Sequence, residues 1–461
     1  MPRDLVLGNG SLLVAFDDQY AIRDLTWPHV GQENHVMGRR CRVGLQVDGR
    51  TTWLGGDGWD GDLEYLPDTL VGSSTFRSAD LGLVVSVRDA VLDTEPVLVR
   101  SFEIEDTLGR DRDLVLWCHH DFDILESDAF NAVTWDPTTR ALLHHKRDRY
   151  FLTRVIASGA VLWSCDARST KNGRGVAGKI EDGDVCDHNP VSIGSVDGAV
   201  GDVARVPAGG RTRVHAWLCV GRSEAQVVRR HGQVAAAGVD ALIAESARRD
   251  HQRVGRIGAD WDGLPGDIAT GARRAWLVVS TQSDAGGGIS AANDSETLFP
   301  GRETYAYLWP RDAALACAAL DRAGDHETSR RFFALCPKLL SPDGWLGHRY
   351  WADGTPGSSW LARVRDGRPV PPIQEDETSL VLWAAGEHLR RAPDHGFAST
   401  FYDGFVRPAA DFVAEYRDPD TRLPLPSWDL WEERYGVHSF TVATVIAGLR
   451  AAAEIASRLG C

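Results

Sequence analysis

The chain is poor in several things, and each shortage excludes something. Of 461 residues only four are lysine (Lys146, Lys171, Lys179 and Lys338), and Asp plus Glu outnumber Lys plus Arg 65 to 50. A formal charge of −15 disfavours nucleic acid or an anionic membrane as a partner, because their phosphates would be repelled. No run of 18 or more consecutive apolar residues occurs, so no membrane span is expected. The N-terminus turns polar at Gly8-Asn9-Gly10 without the apolar stretch of a signal peptide. The eight cysteines form no CxxC pair, and most sit in apolar runs such as LVLWCHH around Cys118. They are expected to be buried free thiols in a reducing cytosol, with neither a zinc site nor any other cofactor implied. What is plentiful is tryptophan. Sixteen of them fill cores, and aromatic faces also stack on the C–H faces of sugars.

Two regimes follow one another along the chain. Up to about residue 222, runs such as VRSFEIED, AVLWSCDAR and RTRVHAWLCVG alternate with Gly, Asp, Asn and Pro, and no helical period survives. This predicts a large antiparallel β-sandwich of two broad sheets over 1–222. Residues 223–258 are rich in Ala, Arg and Glu at helical spacing, a helical linker lying on a surface. From 259 to 461 the strand signals stop, and helices are expected at about 264–282, 311–323, 326–340, 377–391, 400–416 and 438–459. The fold class is therefore multidomain β plus α.

Three of these helices each follow a dense polar and aromatic motif: YAYLWPRDAALACAAL, IQEDETSLVLWAAG and DLWEERYGVHSFTVATVIAGL. The charged groups recur about every 60 residues, the mark of a repeated helical hairpin. A ring of such hairpins places all three motifs at the mouth of one funnel, each at the start of an inner helix. Acidic residues in a first helical turn are explained by the helix dipole alone, at about 0.3–1 kcal/mol each. That accounts for Asp376 and Glu377. It does not account for a cation, Arg311, at a helix start, nor for Trp309 and Trp431 beside the charges. Two other groupings carry less. His119-His120-Asp121 lies on a predicted strand, so its two histidines face opposite ways and cannot share an ion. DGWDGD at 57–62 does not match a calcium loop and is expected to be solvated.

YxYLWPRDAA, PPIQEDET and DLWEE followed by a Ser-Phe-Thr helix together resemble glycoside hydrolase family 15, the glucoamylases with their bacterial trehalase and isomaltose-cleaving relatives. The resemblance implies a β-sandwich, a linker and an (α/α)6 barrel, here only the N-terminal part of one. It implies an inverting, exo-acting hydrolase that releases glucose from short α-glucans or α-glucobioses, using two carboxyl groups about 6.5–9.5 Å apart. Glu432 matches the general acid, and Glu433 the neighbour that binds the sugar beyond the scissile bond. Arg311 and Asp312 match the grip on the terminal sugar, Tyr305 and Trp309 its aromatic floor, and Trp431 a further wall. Gln374 and Asp376 occupy family positions with no chemical step assigned. The adjacent Glu433 is expected to help keep Glu432 protonated. The family's base lies far downstream of Trp-Glu-Glu, whereas 28 residues follow Glu433 here. The chain is thus expected to be truncated, or completed by a partner chain or oligomer. An inverting phosphorylase of similar architecture and a non-catalytic carbohydrate-binding chain are the alternatives.

Overall fold

A computed structural model describes residues 4–168, 175–183, 189–257, 261, 263–293 and 304–461. Lys171 and Cys186 lie outside these. The N-terminal half is built from three antiparallel sheets. A four-stranded sheet formed by Leu5–Gly8, Leu13–Phe16, Ile22–His29 and Gln32–Asn34 opens the chain. A nine-stranded sheet runs from Val191–Gly194 at one edge, through Arg149–Ile156, Arg211–Gly221 and Val97–Asp106, to Asp60–Asp62 at the other. A five-stranded sheet centres on Arg112–His120 and Val196–Val206. Alternation produces the core. In Leu83–Val91 the residues Leu83, Val85 and Val87 are buried while Val84 and Ser86 are half-buried, and the inward set packs with Phe16, Phe76, Phe102 and Phe151.

The sandwich holds one helix the strand pattern does not announce, α1 (Gly175–Glu181), whose first amides are held by the Asp197 carboxylate. The His119-His120 pair divides as its strand requires. His119 Nε2 lies 2.9 Å from Asp197, while the ring of His120 stacks on Phe122. DGWDGD supplies the exposed edge strand Asp60–Asp62 rather than a loop alone. Seven of the eight cysteines are free, six of them buried and Cys461 exposed. Burial pushes the Cys118 thiol up to about 11.

The linker is two helices, α2 (Glu224–Ala237) and α3 (Val239–Arg256), broken at Gly238, whose φ of 82° suits glycine. Val227, Val234, Val239 and Ile243 pack against Val97, Val99 and Trp217 of the nine-stranded sheet. The helical half then comprises α4 (Gly266–Thr281), α5 (Pro310–Ala323), α6 (His326–Leu339), α7 (Glu375–Arg391), α8 (His395–Phe401), a π turn at Tyr402–Val406, α9 (Arg407–Glu415) and α10 (Ser439–Leu459). The segment expected to start near 400 starts at 395, because Asp394 caps the Phe397 amide. Asp284 joins the two halves: its carboxylate accepts the Val30 amide at 3.0 Å and lies 3.2 Å from His29 Nδ1.

The helices α5, α7 and α10 form a parallel row with their N-terminal ends together. Arg311 meets Asp376 at one end of α5 and α7, and Asp321 meets His388 near the other. Gly448 of α10 faces Ser379 of α7, and Gly386 faces Ala451. Among the described residues α10 is the one helix long and apolar enough to cross a membrane by length and composition. Its apolar sequence is interrupted by Arg450, Glu454 and Arg458, so it contains no unbroken apolar run of that length. In the fold, Val445, Ala452 and Ile455 of α10 are buried in the core shared with α7, and Phe440 and Ile446 are exposed.

The close crossing of α7 and α10 yields a stability prediction. A Cβ at Gly448 would lie 2.6 Å from the Ser379 carbonyl oxygen, whereas one at Gly232 in α2 meets nothing within 4 Å. Gly448→Ala is expected to destabilise the helical half by about 1–3 kcal/mol, and Gly232→Ala to stabilise by about 0.4–1 kcal/mol. Urea midpoints of the two variants measure both; equal midpoints would refute the packing argument.

Candidate active site

The helix α5 starts without a side-chain cap of its own. Trp309 occupies the N-cap position and Pro310 follows, as its missing N–H allows. The cap comes from α7: Glu377 Oε2 accepts the Arg311 amide. The same carboxylate, through Oε1, lies 3.1 Å from the Arg311 guanidinium, and Asp376 Oδ2 accepts a hydrogen bond from it at 3.0 Å. Both carboxyls are fully buried. This resolves the cation at a helix start, since two acids from the neighbouring helix outweigh the dipole. Burial pushes Asp376 and Glu377 up, Arg311 pulls them down, and their mutual repulsion favours a proton retained on the pair.

Asp312 is not engaged in that cluster and opens to solvent. The surrounding protein raises its carboxyl above the ordinary range; Arg311 opposes this, and the nearby Glu432 carboxylate adds to it. Glu432 and Glu433 do not begin an inner helix, contrary to expectation. They lie in the turn between two short strands, Ser427–Trp428 and Tyr435–Gly436, ahead of α10. Asp429 organises that turn. Its Oδ1 accepts the amides of Glu433 and Arg434, its backbone oxygen accepts the Glu432 amide at 2.9 Å, and Gln374 Nε2 donates to the same oxygen. Glu432 sits at φ 62°, a left-handed conformation uncommon for glutamate and often found where function demands it.

The partner of Glu432 is a histidine rather than Glu433, which is exposed. His348 Nε2 lies 2.7 Å from Glu432 Oε1, and His348 Nδ1 lies 2.9 Å from Ser359 Oγ. Oε2 of Glu432 has no hydrogen-bond partner among the described residues. Aromatic rings hold His348, with Trp360 at 5.1 Å and Trp309 at 6.4 Å between ring centres. The Arg349 guanidinium caps the faces of Tyr307 at 4.2 Å and Trp360 at 4.4 Å. Trp431, Trp360 and Tyr305 remain 75, 55 and 43 % exposed.

Arg311, Asp312, Trp309, Tyr305 and Glu432 therefore gather at the N-terminal ends of α5 and α7, with Glu433 and Trp431 on the adjoining turn. Gln374 and Asp376 are buried at the same end, where they engage Asp429 and Arg311. His348, Arg349 and Trp360 escape the sequence reading. The signal for His348 and Arg349 is LGHRYW, a polar and aromatic run of the same kind as the three motifs but without a following helix, and Trp360 lies nine residues beyond it.

No protein-family model matches the chain. Individual proteins do. An uncharacterized glycosyl hydrolase, MJ1610 of Methanocaldococcus jannaschii, is 23 % identical over 97 % of the chain and 68 % of its own length. A glucoamylase of a Clostridium species is 27 % identical over 33 % of the chain and 18 % of its own length. Among solved structures, a bacterial glucoamylase complexed with acarbose superposes with a TM-score of 0.75 at 15 % identity. In fold the chain is glucoamylase-like. This glucoamylase-like chain covers 64 % of that glucoamylase structure, which in turn covers 99 % of it. A putative kojibiose phosphorylase shares the fold at a TM-score of 0.58 and 9 % identity, with 65 % of its length covered. Both of these sequence relatives carry names of glycoside hydrolases.

Glu375, fully buried on α7 with neither carboxyl oxygen hydrogen-bonded among the described residues, generates a pH prediction. Burial pushes its carboxyl from an ordinary 4.5 to about 8; Arg417 opposes this and Asp376 adds to it. A carboxyl that holds its proton more tightly when folded makes stability fall as pH rises from about 4.5 to about 8, with no further loss above. The total loss over that window amounts to about a few kcal/mol, on the order expected for such a shift. Glu375→Gln is expected to flatten it and to exceed the wild type in thermal midpoint at pH 8 but not at pH 4.5. Parallel stability–pH curves for the two proteins would refute the assignment.

Proposed function

We propose that the chain carries the terminal-sugar subsite and general acid of an inverting, exo-acting α-glucoside hydrolase. One observation carries this reading. A single glutamate, Glu432, held by His348 in a turn with left-handed backbone, lies close enough to Asp312 to help raise its carboxyl, at the end of the helical row where Trp431, Trp360 and Tyr305 are exposed. Asp312 would accept hydroxyls of the terminal glucose, with Arg311 held beneath it by Asp376 and Glu377. Trp309 and Tyr305 would form the floor, Trp431 a wall, and Glu433 would meet the sugar beyond the scissile bond. Glu432 would give its proton to the leaving oxygen, and His348 would orient the carboxyl.

The base is not assigned. Asp376 and Glu377 are committed to Arg311, and Glu375 is buried away from solvent. Residues 1–461 by themselves are therefore expected to bind short α-glucosides more readily than they cleave them. The substrates proposed are maltose, isomaltose, trehalose and their short homologues, and acarbose is a fitting probe because the structurally similar glucoamylase binds it. The phosphorylase fold match supports a second reading, in which phosphate replaces the activated water and no base is required.

Isothermal titration with acarbose and maltose tests the site, and proton NMR of the first product tests the chemistry. Asp312→Asn is expected to weaken binding at least about tenfold. Glu432→Gln should leave affinity nearly unchanged while lowering kcat by about 10²–10⁴, the share typical of general acid catalysis. Inversion requires β-glucose as the first product. Turnover that depends on phosphate selects the phosphorylase. The hydrolase reading requires slow but detectable glucose release by the wild type; binding with no detectable turnover under either condition selects a binding chain. Full turnover by Glu432→Gln would place the acid elsewhere.

A further inference from the structure

At the end of the helical row opposite the candidate site, three potential metal ligands converge. Asp321 lies near the end of α5, His326 begins α6, and His388 lies in the last turn of α7. His326 Nδ1 is 2.8 Å and His388 Nδ1 2.9 Å from the same oxygen, Asp321 Oδ1, and the three ligand atoms lie within 4.8 Å of one another. Ten residues separate Asp321 from Arg311, and twelve separate His388 from Asp376. At 1.5 Å per residue the cluster stands about 15–18 Å from the sugar-binding end, so the proposed hydrolysis does not use it.

From this geometry we propose that Asp321, His326 and His388 bind one divalent transition-metal ion, zinc above all, and so fasten α5, α6 and α7 together. Two imidazole nitrogens and one carboxylate oxygen form a donor set that suits zinc, with water free to complete a tetrahedron. Bonds of about 2.1 Å to a tetrahedral ion space the ligand atoms about 3.4 Å apart. An opening of roughly half an ångström from the present spacing admits the ion. Both imidazoles offer the same nitrogen, Nδ1, to one point. Asp321 and His388 are almost wholly buried, and His326 is half-buried, which leaves an entry path. The shell is apolar: Phe333 and Phe397 lie 5.2 and 6.1 Å from the His388 ring. Such a shell limits water access and strengthens binding to charged ligands. The alternative is a hydrogen-bond triad in which both histidines donate from Nδ1 to one carboxylate, with no ion.

The two are told apart with zinc itself. The chain is stripped with a chelator, dialysed, and titrated with Zn²⁺ against a chromophoric competitor, with thermal midpoints recorded alongside. One Zn²⁺ per chain and a raised midpoint are expected. His326→Ala removes the most exposed ligand and spares the buried pair, so the fold, checked by circular dichroism, is retained. That variant is expected to bind at least about tenfold more weakly, with its midpoint insensitive to Zn²⁺. Co²⁺ should bind without thiolate-to-metal charge transfer, since no cysteine is among the ligands. Absence of stoichiometric binding would overturn the proposal. So would equal Zn²⁺ affinity in wild type and His326→Ala, or a thiolate signature from Co²⁺.

Discussion

The helical half depends on one carboxylate. Glu377, buried in the first turn of α7, accepts the free amide at the start of α5 and faces the guanidinium of the same residue, Arg311. Glu377 meets the uncapped helix start and, together with Asp376, the buried cation. An unpaired guanidinium or an unmet amide at that depth would each cost about 1–3 kcal/mol or more. The arrangement also fixes how α5 and α7 stand relative to each other, because cap geometry tolerates little sliding. Asp312, one residue on from Arg311, is thereby turned to the open end of the row.

The second organising element is the turn around Asp429. The helix start at Gln374 reaches it by one hydrogen bond, and Asp429 folds back on the amides of Glu433 and Arg434. Glu432 is thus positioned by backbone bonds from behind and by His348 from in front. Buried polar networks of this kind specify one geometry when their members are satisfied. Two buried oxygens of this network, Gln374 Oε1 and Glu432 Oε2, have no hydrogen-bond partner among the described residues.

The division into sheets and helices was legible because alternation and helical spacing are written into long stretches of the chain. The three motifs were legible because charge beside tryptophan has few purely structural explanations. Their setting was less so. Glu432 reads as a helix start, since a short hairpin of two-residue strands leaves no periodic pattern. Glu377 reads as a dipole partner, since nothing local reveals that its true partner is 66 residues earlier. His348 precedes no helix directly and shares no spacing with Glu432, so only three-dimensional contact joins them. The sandwich helix Gly175–Glu181 is too short to establish a period. Asp321, His326 and His388 likewise come from three helices and form no sequence motif.

The left-handed backbone at Glu432 constrains how this chain can vary. Glycine or asparagine would occupy that φ at lower conformational cost, and a β-branched residue could scarcely occupy it. Random substitution there is therefore biased: the changes that relieve the backbone remove the carboxyl or, with aspartate, shorten its reach. Libraries screened for thermal tolerance alone would drift toward Glu432→Gly or Glu432→Asn, variants that look improved by every measure except chemistry.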